Sequence, residues 1–557
     1  MNRETESHFS NLPTLDIRRS AFKRPTDHKT SFNAGDIIPI YVDSDILPGD
    51  TVEMDMASII RMQTPIFPVM DNAYCDIYFF FVPHRIVWEH WKEFWGENNQ
   101  TAWEQQVEYE IPQIEAPTGG WDTGTIADYM GLPIGVDGIS VSHLPFRAYC
   151  KIWNDWFRDE NLKDPCFITW DETTVSGANS GDYVTYAECG ALPLKAAKFH
   201  DYFTSALLSP QKGPSVNIPL GSDAPVYSGA IRADGWDTHT TQLSMIWDQH
   251  DGTSWKVPDT SGVGYGNVIY SKDTGSTGYN NSSGQSATGA LRPNNLYADL
   301  TNAVGATINQ LRQAFAIQAF YEAQARGGSR YIEFIKNIFG VTSPDGRLQR
   351  AEYLGGTRIQ INMDQVLQTS STDATSPQGN TAAFSCTVDS DSLFTHSFTE
   401  HGTLMGLAVI RTDHTYQQGI ERMWNRKKWV DFYIPQFANL GEQAILNKEI
   451  YADGSSTDDE VFGYQECWAD YRYKPNRVSG EMRSQASQSL DAWHYGDDYS
   501  QLPTLSSGWI DETTANVDRT ISVQHQNANQ FFGDFYFNAT YVRPMPVYSI
   551  PAMLNHF

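Results

Sequence analysis

Residues 74–82 read YCDIYFFFV and stop at Pro83. A strand ending in four consecutive apolar residues has no face to give to water, so it must be covered on both sides, inside a layered structure. Proline lacks the ladder donor and closes the strand. Upstream, residues 37–42 (IIPIYV) form a second apolar run, followed by the turn Leu47-Pro48-Gly49-Asp50. Residues 51–57 then alternate, with Val52, Met54 and Met56 on one side and Glu53 and Asp55 on the other. That period of two is a half-buried strand. Far along the chain, residues 358–363, 404–412, 429–434, 519–524 and 531–542 also read as strands. Strand signals at both ends, with long excursions between them, predict a mainly β fold: one β-sandwich whose first and last thirds pair in the same sheets, with helical and loop insertions.

The excursions carry helical periodicity. After Pro83, the set Ile86, Val87, Trp91, Phe94 and Trp95 recurs at helical spacing and stops near Gly96. Pro145 opens a second helix with Tyr149, Ile152, Trp153, Trp156 and Phe157 on one face. Residues 193–209, closed by Pro210, and residues 300–326, ending at Gly327-Gly328, are read as two more. Aromatic stripes of this kind predict core or subunit contacts rather than a cofactor box. Residues 252–289 differ in kind, because twenty of these 38 residues are Gly, Ser or Thr. Such composition makes an exposed insertion. Large aromatics stud the wider stretch 224–294, among them Trp255, Tyr265, Tyr270 and Tyr279, beside Asn280 and Asn281. Linkers lack so many aromatics, so the expectation is an ordered protruding subdomain.

Charge narrows the function. With 39 Lys and Arg against 67 Asp and Glu, the chain carries −28. A surface of that sign does not grip phosphates as a whole. One local exception is Arg18, Arg19, Lys23, Arg24 and Lys29, set against only Asp16 and Asp27. Residues 1–35 are therefore expected to form a basic N-terminal arm touching phosphates without reading sequence. No apolar run approaches the roughly 20 residues that span a bilayer, and residues 1–10 lack the apolar stretch of a secretory signal. The six cysteines show no metal-knuckle or redox spacing and are expected to be free thiols. Catalytic signatures are missing as well. Gly262, Gly264 and Gly266 have the wrong spacing for a phosphate loop, and no nucleophile elbow occurs. His84/His90 and His396/His401 are not at the three- or four-residue spacing that stacks two ligands on a helix. The acidic run 453–460 reads as a solvated turn. No catalytic, cofactor or metal residue is assigned.

Several blocks resemble the major capsid proteins of gokushoviruses, within the microvirus group. They include RSAFKR from Arg19, LPGDT from Leu47, and RMQTPIFPVMDNAYCDIYFFFVPHRIVWEHW over residues 61–91. Others are LPFRAYCKIWNDWFRDENL over 144–162, KFHDYFTSALLSPQKG over 198–213, ARGGSRYIEF from Ala325, and RLQRAEYLGG from Arg347. Shorter blocks at 401–419, 462–466, 493–495 and 543–546 complete a consistent order from about residue 18 to 548. The resemblance implies an eight-stranded viral jelly roll. Sixty copies, building through pentamers, would form a T=1 icosahedral shell around a circular single-stranded DNA genome. A small basic packaging protein would accompany the DNA, and the shell would assemble in the host bacterial cytoplasm. It further implies that the insertion 224–294 forms a three-fold protrusion facing a host receptor, with a glycan as one candidate. The Arg18–Lys29 cations would face the interior. Residues 36–223 and 295–557 would then be the two parts of the jelly roll. The competing expectations are a carbohydrate-binding, lectin-like jelly roll and, more remotely, a β-sandwich glycoside hydrolase.

Overall fold

The computed structural model describes residues 18–97, 108–214, 216, 308–328, 330–370, 372 and 377–548, together with short backbone strands between residues 226 and 298. Eight strands build the central sandwich: β1 (Ser20–Phe32), β2 (Ile38–Ile46), β3 (Thr51–Met62), β4 (Ala73–Pro83), β5 (Glu352–Gln360), β6 (Thr387–Ser397), β7 (Gly402–Thr412) and β8 (Phe531–Arg543). They form two four-stranded antiparallel sheets, ordered β1-β8-β3-β6 and β5-β4-β7-β2. Successive strands switch sheets throughout, except at β4 and β5. Those two are neighbours joined by residues 84–351. Eight strands wound in this order are a jelly roll. The first strand lies beside the last, and β8 sits between β1 and β3.

Alternation decides what fills the sandwich. Val52, Met54 and Met56 of β3 are buried, as are Phe535, Phe537, Ala539 and Tyr541 of β8. Opposite them lie Cys75, Ile77, Phe79 and Phe81 of β4, with Leu404, Ala408 and Ile410 of β7. Phe79 is the hub, with ring centroids 5.9 Å from Tyr41, 5.8 Å from Phe537 and 5.4 Å from Phe394. Gly406 of β7 makes room for it, since a Cβ there would stand 2.7 Å from the Phe79 ring.

The other residues of β4 and β7, namely Phe80, Val82, Met405, Leu407 and Val409, belong to a second core on the far side of that sheet. It is covered by helix α1 (Leu144–Ile152), through Phe146, Tyr149 and Ile152, and by the fully buried Trp88, Trp121 and Trp153. The run at 74–82 is thus covered on both faces, as its composition requires. A third, smaller core of Tyr202, Phe203, Tyr416, Ile445, Ile450 and Phe462 organises the long β7–β8 connection. Helix α2 (Ile308–Gly327) occupies most of the stretch expected to be helical near 300–326.

Several expectations fail, for identifiable reasons. Residues 20–32 are not a loose arm: their backbone pairs along its whole length with β8. Residues 193–209 are no helix. They run as turns and isolated bridges, Lys195 to Asp36, Ala197 to Asp511 and Leu207 to Tyr464, which take the backbone partners a helix would have used. Residues 519–524 contribute one bridge, Ile521 to Pro65, and 429–434 contain the 3-10 turn Trp429–Asp431. In both cases short apolar runs mimic strands. The helical spacing after Pro83 yields the 3-10 turn His84–Ile86 and one α-helical turn, Trp91–Phe94.

Residues 213–321 form a separate compact unit, which contains the stretch 224–294. Its largest sheet has five strands in the order Trp255–Lys256, Met245–His250, Ser286–Pro293, Thr277–Asn280 and Val268–Ser271.

Replacing Phe79 by alanine removes the ring that meets Tyr41, Phe394 and Phe537. The expected cost is about 3–5 kcal/mol, measurable as a lowered urea midpoint of the isolated subunit. An unchanged midpoint would show that the two sheets do not depend on this contact.

Candidate assembly and genome-contact surfaces

Three of the predicted cations, Lys23, Arg24 and Lys29, sit on β1, where alternation separates them, and Arg18 and Arg19 immediately precede it. Arg24 and His28 lean inward, while Lys23, Asp27 and Lys29 lean outward. The Arg24 guanidinium donates to Asp43 Oδ2 at 2.6 Å and lies 4.7 Å above the Tyr541 ring. Tyr541 donates its hydroxyl to the same carboxylate oxygen at 2.8 Å and meets the Tyr41 hydroxyl at 2.7 Å. Arg24 is therefore a rivet between N- and C-terminal strands. Lys29 pairs with Asp27 and stands 3.5 Å from Asp534. Arg18, Arg19 and Lys23 are exposed and make no ion pair among the described residues. Of five predicted phosphate contacts, three remain available and two are committed within the chain. Pro25 and the charges also suit an edge strand, because they discourage edge-to-edge pairing.

The outer face of the β1-β8-β3-β6 sheet carries Ile59, Val388, Phe532 and Tyr536, all exposed. A second exposed apolar set, missed by the sequence reading, runs over residues 429–440: Trp429, Val430, Phe432, Tyr433 and Leu440, with Trp429 at 69 % exposure. This ridge is built, not slack. Asp431 accepts from the backbone of Lys427 at 2.8 Å and Lys428 at 2.7 Å. Trp468 packs edge-on to Tyr433 at 5.7 Å and donates its indole N–H to the Phe437 carbonyl at 2.8 Å. Rigid exposed aromatics of this kind anchor protein–protein contacts. The signal was present as RMWNRKKWVDFY, residues 422–433, where basic and aromatic residues interleave.

A buried charge cluster pins other parts of the β7–β8 connection. His414 Nδ1 lies 3.0 Å from Asp497 Oδ2, and Nε2 lies 3.0 Å from Glu512 Oε2. Asn516 donates to Asp497 at 3.2 Å, and the Thr412 hydroxyl donates to Glu512 at 3.0 Å. The buried Lys198 adds a second cation nearby. Burial pushes the His414 imidazole down, but the carboxylates of Asp497 and Glu512 outweigh it and hold the group up at about 10. Burial likewise opposes the Asp497 charge, and His414 pulls its carboxyl below the usual range. Both ring nitrogens therefore donate, and the imidazolium joins β7 to two distant loop segments. Among the described residues no group of His, Cys, Asp and Glu is arranged to hold a metal ion.

The profile of one protein family, described as capsid protein (F protein), matches residues 10–553. The chain belongs to that capsid-protein family. It is 45 % identical over 552 residues to capsid protein VP1 of Spiroplasma virus 4, covering 98 % of this chain and 97 % of that one. Capsid protein VP1 of Bdellovibrio phage phiMH2K is 40 % identical over 558 residues, covering 100 % and 99 %. Capsid protein VP1 of Chlamydia phage 1 is 40 % identical over 590 residues, covering 98 % of each. As a capsid protein of the gokushovirus group, the chain is structural rather than enzymatic, assembles with copies of itself and resides in the virion.

Within this capsid protein, the residues expected to face a receptor divide. Trp255, Tyr270, Tyr279 and Asn280 lie on strands of the 213–321 unit, whereas Tyr265 and Asn281 lie outside the described residues. All six cysteines are free.

The His414 cluster sets a pH dependence. A group held above its unfolded value of about 6.5 stabilises fully below that pH and loses the contribution as pH rises toward 10. Asp497, held low, loses its contribution as pH falls through the acid range. Thermal midpoints of the wild-type subunit should therefore decline between pH 6.5 and 10, and His414→Gln should be less stable at neutral pH with a flattened decline. Parallel curves for the two proteins would refute the charged imidazole.

Proposed function

We propose that this capsid protein builds a T=1 icosahedral shell of sixty copies, reached through pentamers in the host bacterial cytoplasm, around a circular single-stranded DNA genome. The observation that carries the reading is an intact jelly roll matched over nearly its whole length by phage capsid proteins, with built aromatic surfaces left uncovered. An icosahedral subunit needs several different contact patches. The ridge at 429–440 and the outer face of the β1-β8-β3-β6 sheet supply two candidates.

A shell subunit with charge −28 cannot neutralise packaged phosphates by itself. A small basic packaging protein inside the shell is the partner this charge calls for. Arg18, Arg19 and Lys23, exposed and uncommitted, add local contacts on the interior side, while Arg24 and Lys29 hold the sheet. The insertion 224–294, within the 213–321 unit, is the outward protrusion at the three-fold axis. It meets a host receptor, with a glycan as the favoured class because of the aromatic and Asn content at Trp255, Tyr265, Tyr270, Tyr279, Asn280 and Asn281.

Purified protein should form hollow particles by electron microscopy. Deleting residues 252–289 should leave those particles intact while abolishing adsorption to host cells. A subunit that stays monomeric under all assembly conditions would end the shell reading, and loss of particles on deletion would make the protrusion an interface. Separately, replacing Arg18, Arg19 and Lys23 together by glutamate should lower the ratio of 260 to 280 nm absorbance of purified virions. Unchanged DNA content at low and high salt would remove the arm from packaging.

A further inference from the structure

The third core has an open side. Tyr202, Phe203, Glu449 and most of residues 416–426 and 470–483 line a cleft of about 800 Å³. That volume falls within the range of roughly 300–1,000 Å³ typical of ligand sites. Its charge runs against the whole chain. Six cations, Arg422, Arg426, Arg472, Lys474, Arg477 and Arg483, face three carboxylates, Glu421, Glu449 and Asp470. The excess is three positive charges within a subunit of −28.

The carboxylates are already taken. Glu421 holds Lys474 and Arg477, each with a hydrogen bond of 2.5 Å. Glu449 accepts from Arg422 at 3.1 Å and from the Tyr202 hydroxyl at 3.3 Å, and Asp470 pairs with Arg426. Arg472 pairs with Glu466 just outside the cleft at 2.6 Å, so the acids orient the cations, and counting Glu466 leaves an excess of two positive charges. Arg472, Lys474 and Arg477 stand at the rim, with side chains 60 %, 64 % and 58 % exposed.

Flat rings accompany the charge. Tyr202 and Tyr473 stack at 5.2 Å with planes 8° apart, and Arg426 lies 4.3 Å over Tyr471. Trp424, 72 % exposed, and Tyr471, 49 % exposed, still present ring surface to solvent. Guanidinium forks match phosphate geometry, and sequence-tolerant stacking of bases on aromatic rings is how proteins hold single strands. A cleft of this size receives unpaired bases, not a duplex.

We propose that this cleft binds a short stretch of single-stranded nucleic acid, with Arg472, Lys474 and Arg477 on phosphates and Trp424 and Tyr471 stacking on bases. It is a site separate from the β1 cations. Its place in the particle rests on the genome-enclosing reading above, but the binding is a property of the isolated chain.

The test uses the full-length subunit and a fluorescein-labelled oligothymidylate, read by anisotropy and by quenching of tryptophan emission. Wild type should bind with quenching and with affinity that falls as salt rises. Reversal of Arg472, Lys474 and Arg477 to glutamate should weaken binding at least tenfold and reduce the salt slope by about 0.7 per lost phosphate contact. Trp424→Ala and Tyr471→Ala should each weaken it about five- to hundredfold, the range for one lost stack, and the first should abolish quenching. All five residues are exposed or at the rim, so a circular-dichroism spectrum and melting midpoint like wild type are expected. If a variant unfolds, Trp424→Leu and Arg472→Gln replace it with the same directions expected. Equal binding by all variants, equal affinity for a duplex, or displacement by an acidic oligosaccharide at lower concentration than by oligothymidylate would overturn the proposal. Particle imaging separates the two readings: normal shells with no oligonucleotide effect sink only the cleft, whereas oligonucleotide binding without shells sinks only the shell.

Discussion

The structure depends on a strand with no wet side. β4 is hydrogen-bonded to β5 and β7 along its edges, covered by the opposite sheet on one face and by α1 and three buried tryptophans on the other. Each alternate residue serves a different core, so Phe79 and Phe80 are adjacent in sequence yet belong to separate packing systems. Burial at roughly 25 cal/mol per Å² on both faces concentrates the driving force in this element. The helical layer on the jelly roll is therefore not ornament. Without it, Phe80, Val82, Met405 and Leu407 would line an open apolar sheet face.

Charge in this protein works mainly inward. Asp43 gathers Arg24 and Tyr541, Asp76 gathers Arg358 and Arg411, and His414 bridges Asp497 and Glu512. Three of these contacts, Arg358 and Arg411 to Asp76 and Tyr541 to Asp43, join strands hundreds of positions apart in the chain. Breaking one partner of such a buried set costs several kcal/mol, because the other is left uncompensated. The cations without an ion pair among the described residues, Arg18, Arg19 and Lys23, are correspondingly conspicuous.

The sandwich was legible because period-two patterns and doubly buried runs are local signals: Val52, Met54 and Met56 faced inward as their alternation requires, and 404–412 formed the strand β7. Strand order was not legible from local pattern, since no window of residues says that β8 inserts between β1 and β3. The long β4–β5 and β7–β8 connections were the least readable parts. Residues 193–209 have helical spacing but spend their backbone groups on distant bridges, and the aromatic run near Trp429 looks like a strand until Asp431 caps a turn there. Among the five cations at residues 18–29, residue spacing could not tell Arg24, tied to Asp43, from Lys23, which points the other way. The cleft cations come from two loops some fifty residues apart, and only the fold brings them together.

The position of β8 has a consequence for synthesis. Until translation has passed residue 543, the slot between β1 and β3 is vacant, and Arg24, Tyr41 and Asp43 wait for Tyr541. The outer face of that sheet, with Phe532 and Tyr536, does not exist before then. The apolar patch on that face is therefore complete only once the last strand of the sandwich has been made.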